Sequence, residues 1–69
     1  MIEDIRKEIG SNINKPVIIK ISIGRNKWEV YEGVIEHAYS NIFTIKIKDT
    51  IKSFTYSDVI IKDVLIKYV

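Results

Sequence analysis

His37 is the only histidine of this 69-residue chain, and there is no cysteine. A general base works within a set: a nucleophile in reach and a third group that orients the ring. No spacing here marks such a set, so His37 reads as a structural or solvated residue near a strand end. Disulfides are excluded on the same count, and a metal site built on Cys or His is not expected. Gly10, Gly24 and Gly33 make no phosphate-cradling pattern. The acidic residues are scattered among lysines and read as solvated surface. No catalytic residue, cofactor site or metal site is expected.

The chemistry that remains is that of contact. Arg25 and Lys27 flank Asn26 in G-R-N-K, a turn whose tip offers positive charge to a phosphate or an acidic partner. Lys46 and Lys48 alternate along one strand, and Lys20 and Lys52 can join them. Such a face could follow a nucleic-acid backbone; the preferred reading is that it protects strands from edge pairing. Trp28, Tyr31, Tyr39, Tyr56 and Tyr68 are stacking or anchoring side chains in principle. Most belong in or near the core of so small a domain. Tyr39 is the best surface candidate, because it stands at a corner between two strands.

The elements that hold these residues follow from periodicity. Ile2, Ile5, Ile9 and Ile13 recur at helical spacing. Glu3 and Asp4 suit the first turn, Glu3 can pair with Lys7, and Gly10 offers a left-handed stop. A helix over 2–9 results, too short to hold alone, since helices under about 12–15 residues are marginal in water. Residues 12–16 read as loop, 17–23 as a strand with Val17, Ile19, Ile21 and Ile23 on one face, and 24–27 as a hairpin connection. A long strand over 28–39 carries Gly33 in its middle, which predicts a bulge or a sharp bend. Strands over 41–48, 51–56 and 60–69 complete the chain, with a turn at 49–50. The last has apolar residues on both sides, and alternation does not assign its inner face. Between the fourth and fifth strands, Ser57-Asp58 interrupts an apolar run. One turn of 3₁₀ helix, capped by Ser57 or Asp58, carries the chain round that corner.

Helix, five strands, a bent second strand and a helical turn before the last one is the plan of a small SH3-like or Sm-like barrel, mostly β, in one domain over 1–69. Sixteen isoleucines supply its aliphatic core. A chain this short buries only about 60% of its unfolded surface, so self-association stays open as a source of added stability. The N-terminus is too charged for a signal peptide, and no apolar run nears the ~20 residues of a membrane span. A cytoplasmic protein with no membrane contact is expected. The net charge of +2 is weak ground for nucleic-acid binding.

Together these residues resemble the Veg family, small bacterial proteins described as stimulators of biofilm formation. I-R-K-E-I at 5–9 is similar to the family's opening helix. V-I-I-K at 17–20 and G-R-N-K at 24–27 resemble its first strand and basic turn. G-V-I-E-H-A-Y-S-N-I-F at 33–43 is similar to G-[VI]-[IL]-x-x-x-Y-P-S-[VI]-F, and Y-S-D-V-I at 56–60 to Y-x-D-V-L. Ser40 stands where the family usually has Pro, and the basic turn is less dense. The resemblance implies an SH3-like barrel without enzymatic activity. It also implies a role in biofilm matrix production, acting against a transcriptional repressor as protein partner. The competing reading is an Sm-like nucleic-acid-binding barrel. Sm-type proteins usually place Asp and Asn six and ten residues past the second strand's Gly; counting from Gly33 gives Tyr39 and Phe43. Nucleic acid is therefore the less favoured partner, and Arg25, Lys27 and Tyr39 are the candidate contacts for a protein.

Overall fold

A computed structural model describes residues 2–69. The first element, α1 (Ile2–Gly10), follows the isoleucine spacing. It buries Ile9 to 1% exposure, leaves Ile5 half-buried and Ile2 largely exposed, so its weight in the core lies at the C-terminal end. Arg6, rather than Lys7, reaches Glu3, at 3.6 Å on the surface, a pair of small value there. Gly10 is the last helical residue and is not left-handed. The chain reverses at Asn14, whose φ is 67°, and Asn12 ties the exit down by donating from its side-chain amide to the Glu8 carbonyl.

Five strands follow: β1 (Pro16–Gly24), β2 (Lys27–Ala38), β3 (Ile42–Ile47), β4 (Thr50–Thr55) and β5 (Val64–Tyr68). All pairings are antiparallel, in the order β4-β3-β2-β1-β5. β4 and β5 are thus the edges of the coiled sheet. The helix α2 (Tyr56–Ile60) joins them, giving a small barrel-like fold with α1 packed beside α2 and β2. The inner face holds Val17, Ile19, Ile35, Phe43, Ile45 and Val64, closed by Ile9 and Tyr56.

Several local details depart from simple alternation. Ile23 is the extra residue of a bulge between Ser22 and Gly24; it leaves the face of Val17 and Ile19 and is exposed. In β2 the bulge is at Glu36, between Ile35 and His37, and not at Gly33. Gly33 serves a close approach instead. A Cβ there would lie 2.7 Å from both the Ile45 Cγ2 and the Lys46 carbonyl oxygen, so β2 lies against β3 only because that position has no side chain. The β3–β4 turn is Lys48-Asp49, one residue earlier than expected, with Lys48 left-handed at φ 55°. Lys48 therefore belongs to the turn and not to the face of Lys46.

The corner before the last strand is a short α-helix rather than a 3₁₀ turn, and neither Ser57 nor Asp58 is its cap. Thr55 is: its hydroxyl accepts from the Asp58 N–H at 3.1 Å. The exit closes with Lys62 N–H donating to the Val59 carbonyl and Asp63 N–H to the Asp58 carbonyl, with Lys62 left-handed at φ 66°. That pair of bonds around a left-handed residue is a Schellman-type stop. The apolar residues at 60 and 61 belong to this helix and its cap, which resolves the two-sided pattern of the last strand. Val64, Ile66 and Tyr68 face inward, opposite Ile21, Ile19 and Val17, while Leu65 and Lys67 face out.

Candidate functional site

The corner at Tyr39 is built from below. Phe43 on β3 stacks on Tyr56, the first residue of α2, with ring centroids 5.5 Å apart. Tyr56 is buried and its hydroxyl donates to the Tyr39 carbonyl at 2.6 Å. The Tyr39 N–H donates to the Ile42 carbonyl at 2.8 Å. The main chain of Tyr39 is therefore held on both sides while its side chain points out, 52% exposed. Its ring tilts against His37, centroids 5.6 Å apart. His37 lies 3.9 Å from the Glu36 carboxylate on the surface, a contact of little strength. Burial pushes the Tyr56 phenol above its ordinary 10.0, with the Arg6 guanidinium opposing, so this donor keeps its proton through the neutral range.

Arg25 and Lys27 lie at the β1–β2 tip, both exposed, where Asn26 turns the chain at φ 59°. They do not join Tyr39. The tip opens β2 and Tyr39 follows its end. Even a right-angle bend at Gly33 leaves two legs of about 20 Å each. Arg25 and Lys27 thus stand at the start of β2 and Tyr39 just past its end.

The lysines also separate. Lys52 faces inward opposite Ile45, its ammonium 4.4 Å from the centroid of the Tyr31 ring. An inward charge on an edge strand hinders pairing with another chain, which suits its place on β4. Lys20 and Lys46 face outward, and Lys20 lies over the Trp28 ring at 4.9 Å.

Around those two lysines is a surface that strand alternation had not singled out. Trp28, Val30 and Val34 share the outer side of β2, with Leu65 beyond Lys20 and Ile51 beyond Lys46. All five are exposed. The signal was present in β2, where apolar residues occupy both parities. On β5 it was hidden until the inner side was known.

A third feature is a groove of about 200 Å³ between α1, α2 and β5, lined by Ile5, Glu8, Val59, Lys62 and Tyr68 among others. Burial and the Glu8 carboxylate both raise the Tyr68 phenol above 10.0. Among the described residues no group of three or more His, Cys, Asp or Glu side chains is placed to hold a metal. No helix among the described residues is long and apolar enough to cross a membrane. Compared with known proteins, residues 1–67 match the model of a family described as biofilm formation stimulator VEG. No curated protein matches the chain.

Proposed function

The chain belongs to the VEG family of biofilm formation stimulators, and from that premise we propose that it acts in the cytoplasm without catalysing a reaction. It raises biofilm matrix production by contacting a protein, a transcriptional repressor, and relieving its repression. The observation that supports a contact role is the Tyr39 corner. An aromatic ring is exposed there on a main chain held by Tyr56 and Ile42. Such a ring loses little freedom on binding, and rigid aromatics of this kind anchor protein interfaces.

The reading is tested in the native host and with purified protein. Deleting the gene should lower matrix expression, and removing the matrix repressor as well should restore it. The purified chain should bind the purified repressor, and Tyr39→Ala should weaken that binding at least tenfold with an unchanged melting temperature. A deletion whose effect persists without the repressor would remove the proposed route.

A further inference from the structure

The outer side of the sheet is a second surface with its own chemistry. Strand register sets its rows: Leu65, Lys20 and Val30 in one, Lys67, Ile18 and Glu32 in the next, then Val34, Lys46 and Ile51. Trp28 closes the patch at the tip end, under the Lys20 ammonium. Apolar side chains therefore alternate with lysines across three adjacent rows, denser than the singly scattered apolar residues of an ordinary solvated face. Three ammonium groups, of Lys20, Lys46 and Lys67, stand against one carboxylate, that of Glu32.

We propose that this outer face docks a polypeptide segment that carries apolar side chains between carboxylates. The inference rests on the protein-contact reading for the class of partner and is independent of the Tyr39 corner. Charge decides among the occupants. Two copies laid face to face would bring six lysines together with two glutamates, an unfavourable balance on a desolvating surface. A single-stranded nucleic acid would find the lysines, but its bases would need free aromatic faces to stack on. The one aromatic ring of this patch is already covered by Lys20, and the aliphatic side chains would face no base-stacking partner. A segment with both apolar groups and carboxylates matches the apolar side chains and lysines of all three rows, with Glu32 the single opposing charge.

Trp28 is the only tryptophan, so its emission reports directly on occupancy of the patch. The full chain is titrated with two monomeric synthetic peptides of equal length, one alternating Leu with Glu and the other Leu with Lys. The Leu/Glu peptide should shift Trp28 emission to saturation, with affinity falling as salt rises, and the Leu/Lys peptide should not. Lys20→Glu should weaken the Leu/Glu peptide at least tenfold, and Val30→Glu should do the same. Both positions are exposed, and unchanged thermal melts verify the fold. No response, or an equal response to both peptides, would overturn the proposal. So would emission that changes with protein concentration alone, which assigns the face to a second copy, or a saturating response to oligouridine, which assigns it to RNA. If the repressor binds and neither Lys20→Glu nor Val30→Glu affects it, this face is not the repressor's dock and the protein-contact reading stands. If the Leu/Glu peptide binds and the repressor does not, the face is a docking site and the repressor is the wrong partner.

Discussion

On the inner side of the β1–β2 pair, Val17, Ile19 and Ile35 are almost fully buried, while on the outer side of the same strands Val30 and Val34 are exposed. The residue types are alike, and so is their β propensity. What differs is what lies opposite. The inner side meets Ile9 from α1, Tyr56 from α2, and the Phe43 and Ile45 row of β3. Among the described residues no helix covers the outer side, where Trp28, Val30, Val34, Ile51 and Leu65 stay exposed. Apolar character on a strand thus specifies that it can be buried, and the helices and the sheet's coiling decide which side is. The aliphatic surplus on the outer side is what the proposed partner would cover.

The comparison predicts that inner substitutions cost stability and outer ones do not. The largest effect is expected at Ile9, which α1 contributes to the core. Ile9→Ala should destabilise by about 2–5 kcal/mol, the range for truncating a buried aliphatic side chain. Ile5→Ala should cost less, because Ile5 is only half-buried. Urea melts of the two variants give the order, and equal losses would show that α1 is not anchored through Ile9.

Next comes Gly33→Ala. The added methyl group would meet a backbone carbonyl oxygen of β3 at 2.7 Å, and neither strand can yield without loosening the ladder between them. Overpacking of this kind costs about 1–3 kcal/mol. A melt within about 0.5 kcal/mol of the wild type would mean that β2 and β3 part freely at this close approach.

The Gly33 case shows what could and could not be read beforehand. Glycine inside a strand pattern announced a backbone event, and the helical isoleucine spacing and the Val17, Ile19, Ile21 alternation specified their elements. The bulges at Ile23 and Glu36 were not legible, because a bulge is defined by the hydrogen bonds of the partner strand rather than by its own residues. The left-handed Lys48 and Lys62 were hidden for a related reason. Non-glycine residues adopt positive φ only when surrounding bonds compensate, as the Schellman-type stop does around Lys62. Tyr39 was placed at its corner by strand counting. Its separation from Arg25 and Lys27 follows from a strand of 12 residues between them, a length already legible in the sequence.

A smaller effect tests the join between core and surface. Tyr56→Phe keeps the ring on Phe43 and removes the donor to the Tyr39 carbonyl, a loss of about 1 kcal/mol near neutral pH. The pH dependence has a definite sign. The folded phenol titrates above 10.0 because burial disfavours its charged form, and the unfolded one titrates near 10.0. Its contribution is fully present below pH 10 and is lost as pH rises through the folded value. Tyr56→Phe should therefore flatten the fall in stability above pH 10 without abolishing it, since Tyr68 is raised as well. Parallel alkaline curves for variant and wild type would show that Tyr56 is not a source of that fall.

The smallest effect belongs to the outer side. Val30 is 59% exposed and sits in the middle of β2, paired with Lys20. Thr has the same branching and suits a strand equally well, so Val30→Thr isolates the loss of one apolar contact surface from any change in backbone preference. If no element of the chain covers that surface, stability should stay within about 0.5 kcal/mol of the wild type. Binding should respond where folding does not: the Leu/Glu peptide should lose affinity, because its apolar side chains lose their central contact. A Val30→Thr protein that melts early would break the comparison at its root. The outer valines would then be structural, buried by an association that persists at the concentration of the melt, and repeating the melt at tenfold dilution would expose it as a concentration-dependent midpoint.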